Sequence, residues 1–106
     1  MKVTCSCWGP QLKSLRCGDR IEEAYLTDSR SPLSDKSPRP DSDWDILLVL
    51  RDERSIQDTG PLIHHRLVAP DNNKIEILRC DMESWESPNP NHFFVVTCKA
   101  NGYRLI

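Results

Sequence analysis

Acidic residues occupy alternate positions at Asp41, Asp43 and Asp45, immediately before the uninterrupted apolar run Ile46-Leu47-Leu48-Val49-Leu50. In an extended chain residues i and i+2 share a face, so Asp43 and Asp45 project to the same side. Two carboxylates held that close repel unless one is protonated or a cation bridges them. Hard oxygen ligands at the mouth of a sheet suit Mg²⁺, which takes one or two carboxylates together with substrate phosphates. Farther along, Lys74-Ile75-Glu76-Ile77-Leu78 places a single acid inside an aliphatic run. If that run pairs beside the first strand, Glu76 joins Asp43 and Asp45 on one face. Three carboxylates from two strands then offer a two-metal site for phosphoryl or nucleotidyl transfer. The plainer alternative is a solvated Asp-rich turn and a strand acid on the wet face. A calcium loop is rejected: Asp41, Asp43, Asp45 and Asp52 have the right spacing, but Ile46 stands where an EF-hand needs Gly, and Asp52 where it needs Glu.

The elements that must carry these acids can be read in outline. The run at 46–50 is short for a helix and apolar throughout, as a strand buried on both faces is. Residues 62–69 and 74–80 are apolar-rich runs joined by Pro70-Asp71-Asn72-Asn73, whose turn-forming residues predict a β-hairpin. Residues 21–26 have strand character, diluted by Glu22-Glu23-Ala24. Residues 10–17 carry Leu12 and Leu15 at helical spacing, with Gly18 suited to end a short helix. Residues 28–42 hold three prolines and one aliphatic residue, Leu33, and read as a loop. Asn89-Pro90 resembles an N-cap followed by proline at the first helical position, predicting a helix to about Asn101 that Gly102 ends. Val95, Val96 and Thr97 are weak helix formers within it. Residues 103–106 read as a closing strand. The sum is four or five strands with two or three helices, an α/β or α+β fold in a single domain spanning 1–106.

Composition bounds what such a chain can be. Of 106 residues, 25 are Leu, Ile, Val or Phe, which is about 24% and above the roughly 20% below which chains stay disordered. That supplies one small core and excludes a multidomain enzyme with its own substrate domain. No apolar run approaches the roughly 20 residues that span a bilayer, so no membrane partner is expected. A net charge of -2 and a pI near 5.9 argue against a basic phosphate-binding face, and direct double-stranded DNA binding is not expected. The five cysteines, Cys5, Cys7, Cys17, Cys80 and Cys98, are odd in number. With no apolar signal-peptide core near the start, they read as free thiols in a reducing cytoplasm.

Four stretches together resemble the minimal nucleotidyltransferase family of the DNA polymerase β-like superfamily. They are Tyr25-Leu26-Thr27-Asp28-Ser29-Arg30, Arg39-Pro40-Asp41-Ser42-Asp43-Trp44-Asp45-Ile46-Leu47-Leu48-Val49, Lys74-Ile75-Glu76-Ile77 and Gly102-Tyr103-Arg104-Leu105. The family pattern is a strand leading into Gly-Ser, a short loop, Asp-x-Asp before an aliphatic strand, and a third carboxylate on a later strand. The similarity runs from about residue 18 to the end, and the Asp-x-Asp stretch is its specific part. It implies the superfamily's palm: a small mixed sheet of four or five strands with two or three helices packed on one face, and 28–42 as the active-site loop. Two departures stand out. The Gly-Ser motif is altered, with Asp28 in the glycine's place, and the loop to Asp43 is longer than usual. A glycine there lets backbone amides approach the β- and γ-phosphates, whereas a carboxylate repels them. Ser29 keeps a hydroxyl for a phosphate oxygen.

The resemblance implies Asp43, Asp45 and Glu76 as catalytic residues and as ligands of two Mg²⁺ ions. It implies Ser29, Arg30 and Arg39 as nucleotide-binding residues, and ATP or another nucleoside triphosphate as substrate. The implied reaction moves a nucleotidyl group, AMP first among them, to a hydroxyl on a protein or RNA acceptor. Short members of the family pair with a helical HEPN-type partner as antitoxin and toxin, and a chain of this size leaves the acceptor to a partner. Asp28 keeps a second reading open: a catalytically degenerate module that binds nucleotide or a protein partner without transfer.

Other features have plainer explanations. Cys5-x-Cys7 with Cys17 lacks zinc-knuckle spacing and a fourth ligand. His64 and His65 alternate faces in a strand, one toward solvent, so neither is expected to be catalytic. Trp44, between the aspartates, points away from them into the core. Trp85 and the Phe93-Phe94 pair read as helix packing rather than an exposed partner surface. Ser31-Pro32 and Ser37-Pro38 reflect loop composition more readily than phosphorylation. Arg30 and Arg39 flank the expected triphosphate position, where they would offset Asp28.

Overall fold

A run that is apolar at five successive positions needs cover on both faces, and residues 46–50 receive it. The computed structural model describes residues 8–14, 21–34, 37, 39–54, 56–57, 67, 69 and 73–106. In chain order these contain helix α1 (Trp8–Ser14), strand β1 (Ile21–Thr27), a 3-10 turn (Asp28–Arg30) and strand β2 (Trp44–Leu50). Strand β3 (Ile75–Asp81), helix α2 (Met82–Glu86), helix α3 (Phe93–Asn101) and strand β4 (Tyr103–Arg104) follow. The strands form one mixed sheet in the order β3-β2-β1-β4. β2 runs antiparallel to β1 and parallel to β3, and β4 runs antiparallel to β1. The expectation of a small α+β fold is met.

β2 divides the core in two. Trp44, Ile46, Leu48 and Leu50 face a cluster completed by Trp8 and Leu12 of α1, Ile21, Ala24 and Leu26 of β1, and Ile77 of β3. Leu47 and Val49 face the opposite cluster, with Cys80, Trp85, Val95 and Cys98. Each fully buried aliphatic side chain here contributes about 1.5–3 kcal/mol relative to exposure. The helices therefore do not all share one face, as the resemblance implied: α2 and α3 cover one side and α1 the other. The reason is the alternation in β2, which leaves two apolar surfaces to bury. Trp44 is buried against Trp8, ring centroids 5.6 Å apart, and points away from the aspartates as expected.

Several boundaries differ from the sequence expectation. The first arm of the expected hairpin, 62–69, lies outside the described residues apart from Leu67 and Ala69, both buried in the α1-side cluster. Gly18, the expected stop of the first helix, also lies outside them. The described arm, β3, pairs in parallel with β2. Asn89 does not cap α3. Its side chain instead accepts from Asn91 N at 2.9 Å and its carbonyl from His92 N at 2.9 Å, closing a turn that delays the helix to Phe93. Gly102 ends α3 with an ordinary φ of -70°. Its glycine is required by crowding, because a Cβ would lie 2.5 Å from both the carbonyl oxygen and the sulfur of Cys98. α2 follows β3 without a loop, capped by the Asp81 carboxylate, which accepts from Ser84 N at 2.8 Å. No helix among the described residues is long and apolar enough to cross a membrane.

Candidate functional site

The strand register gathers the acids. Asp45 pairs with Thr27 on β1 and with Glu76 on β3, so these three residues form one row across the sheet. The next row, Tyr25, Leu47 and Leu78, is apolar or aromatic and packs beneath α2 and α3. Asp43 precedes β2 by one residue, on the same side as Asp45, and Asp28 follows directly on Thr27. The polar row opens into a cleft of about 410 Å³. It is lined by Thr27, Asp28, Asp45, Glu76 and Leu78 from the sheet and its adjoining turn, and by Phe93, Phe94 and Thr97 from α3.

Asp45 carries the electrostatic consequence. Its pKa is pushed up to about 7, first by burial, then by the charges of Asp28, Glu76 and Asp43, and by a hydrogen bond shared with Glu76. Asp45 therefore keeps its proton to a higher pH than an exposed carboxylate does. Among the described residues no three His, Cys, Asp or Glu side chains stand in a ready-made metal-binding group. The donors nonetheless fit a hard divalent ion in kind, since all are carboxylate oxygens whose crowding such an ion would relieve.

Asp28 has φ of 60°, the left-handed conformation, and among the described residues it is the sole non-glycine residue with positive φ. The backbone thus keeps the shape a glycine adopts most readily, with a carboxylate attached to it. The turn that follows is tied at Ser31. Ser31 N donates to Asp28 O at 3.0 Å, and the Ser31 hydroxyl donates to Asn101 O at 2.5 Å, joining the turn to the end of α3. Arg30 turns to the other face of the sheet, its guanidinium 4.5 Å from the centre of the Trp44 ring.

Of the residues singled out in the sequence, Asp45 and Glu76 line the cleft, and Asp43 stands close enough for its charge to act on Asp45. Ser29 lies half-buried in the 3-10 turn beside Asp28. Arg30 Nη2 donates to Ser42 O at 2.9 Å and lies 3.3 and 3.5 Å from the carbonyl oxygens of Arg39 and Pro40. Arg39 has an exposed side chain, and its backbone N–H donates to Ser42 Oγ at 2.8 Å. Cys5, Cys7, Cys17, His64 and His65 lie outside the described residues.

The cleft wall was not anticipated. α3 turns Val95 and Cys98 inward, with Phe94 packed partly against them, and leaves Phe93 77% exposed at the lip. Helix packing therefore accounts for Phe94 but not for Phe93. The i, i+3 spacing of Val95 and Cys98 was the available signal. Trp85 does pack as expected, stacked on Tyr25 at 4.7 Å with Lys99 Nζ 4.3 Å from its ring centre. The Tyr25 phenol donates to Glu23, and burial followed by that carboxylate raises its pKa. Burial also pushes the Cys80 thiol up to about 12 and the Cys98 thiol up to about 11, so both stay protonated and unreactive at neutral pH. No protein-family model matches the chain, and no curated protein or solved structure matches it either.

Proposed function

We propose that this protein is a Mg²⁺-dependent nucleotidyltransferase that moves a nucleotidyl group, AMP in the first instance, from a nucleoside triphosphate to a hydroxyl of a protein or RNA acceptor. The observation that carries the reading is the shared row of Asp45 and Glu76 across the sheet, with Asp43 one residue before β2 on the same side. Those three carboxylates would hold the ions. Two bound Mg²⁺ would supply charge neutralisation at the α-phosphate and the leaving pyrophosphate. The acceptor oxygen bonds to the α-phosphorus, the bond to the bridging oxygen breaks, pyrophosphate leaves, and the acceptor's hydroxyl proton passes to solvent water. Ser29, at the turn beside the cleft, donates its hydroxyl to phosphate oxygen. The acceptor belongs to a partner, a helical HEPN-type protein in the antitoxin reading, met in the cytoplasm.

A second reading, a module that binds nucleotide or protein without transfer, is favoured by one feature. Asp28 lines the cleft, and its carboxylate acts on Asp45 from the place where a phosphate-binding turn needs an uncharged backbone. Incubation with α-labelled ATP and Mg²⁺, with and without co-purified partner, separates the two. The enzyme reading expects label transfer that Asp43→Ala abolishes and Asp28→Gly increases. Absence of transfer from every triphosphate, in the Asp28→Gly variant as well, contradicts it and leaves the binding module.

A further inference from the structure

Arg30 was expected to face the nucleotide, yet its guanidinium is committed elsewhere. Nη2 is seated among three backbone carbonyls, those of Ser42 at 2.9 Å, Arg39 at 3.3 Å and Pro40 at 3.5 Å. Its Cζ lies over the Trp44 ring, 4.5 Å from the ring centre. These contacts bracket Asp43 in the chain: Ser42 precedes it and Trp44 follows it. The same turn is closed by Ser42 N donating to Arg39 O at 3.0 Å, and Asn73 donates to Pro40 O from just before β3. Trp44 N donates to Lys74 O at 2.9 Å, fixing the start of β2 against β3.

We propose that Arg30 is a positioning residue for the acidic site: it fixes the 39–42 turn and thereby the direction in which Asp43 leaves it toward Asp45. One side chain thus joins the Asp28-Ser29 turn, which adjoins the cleft, to the segment that delivers Asp43. The fit is chemical as well as geometric. A cation suits a cluster of carbonyl oxygens at the end of a turn, and a planar guanidinium can also lie flat on an indole, which an ammonium does less well. Arg30 touches neither substrate nor reacting atoms in this role. It acts through the backbone on either side of Asp43.

The test uses the full chain with Arg30→Met, which removes the charge but keeps an apolar stem over Trp44, and Arg30→Lys, which restores a donor for the carbonyls. Amide hydrogen exchange is read at Ser42 and Trp44, with Leu47, Leu48 and Val49 of β2 reporting whether the sheet is intact. Arg30→Met should speed exchange at Ser42 and Trp44 by about tenfold, with the β2 interior unchanged and Arg30→Lys restoring most of the protection. Mn²⁺ binding, followed by electron paramagnetic resonance, should weaken by about tenfold in Arg30→Met and recover in Arg30→Lys. The Mn²⁺ readout rests on the metal reading above, whereas the exchange readout does not. Faster exchange in a chain whose wild type binds no Mn²⁺ removes the metal reading and keeps the role of Arg30 in the turn. Unchanged exchange at Ser42 overturns that role, and so does unchanged Mn²⁺ affinity in a chain that binds the ion.

Discussion

Asp45 keeps its proton to about pH 7 in the folded protein, against an ordinary value of 3.8. Between those values the folded state binds a proton that the unfolded state has released. The resulting stabilisation is complete below about pH 4 and disappears as pH rises through 7. In a chelator, the wild-type thermal midpoint should therefore fall between pH 5 and pH 8. Asp45→Asn removes the charge and should flatten that fall, with about 1–2 kcal/mol more stability than wild type at pH 8 once the half-exposed position is allowed for. Parallel midpoint curves for the two proteins would count against the electrostatic account. Asp28 belongs to the same balance, because its charge is the first cause of the shift after burial. Its backbone is left-handed, with φ of 60°, a conformation that Asp tolerates better than most residues.

Among the elements, β2 was the most legible, because a run apolar at every position has few options other than a central strand. The row that joins Asp45 to Glu76 was also within reach: the parity of each strand decides which side its acid takes, and only the pairing of β2 with β3 had to be assumed. Less legible were the parts governed by local competition. Trp8 opens α1 just before Gly9-Pro10, a pair that reads as a break although proline is tolerated in a first turn. α2 has only five residues and depends on its Asp81 cap, while the Asn89 side chain made a turn instead of a helix start. The end of α3 is set by a contact no pattern reveals. Gly102→Ala would put its Cβ against the Cys98 carbonyl and sulfur, and Gly102 N already donates to that carbonyl at 2.6 Å. Overpacking of this kind should cost about 1–3 kcal/mol in denaturant unfolding. A variant as stable as wild type would show that the end of α3 can shift freely.

At the level of the whole molecule, a sheet covered on both faces leaves its polar row open at one end, between the ends of three strands and the first turns of α3. The apolar row beneath is covered by Tyr25 stacked on Trp85, and the cleft has an exposed lip at Phe93. On the metal reading proposed above, a divalent ion and a proton would compete for the same carboxylate in this cleft. Calorimetric titration of Mn²⁺ between pH 8 and 6, repeated in two buffers of different ionisation enthalpy, measures that competition directly. Proton release on binding is expected, growing as the pH is lowered from 8 to 6, with both binding and release lost in Asp45→Asn. Absence of binding heat, or binding without proton release, would contradict the reading of this cleft as a metal-dependent active site.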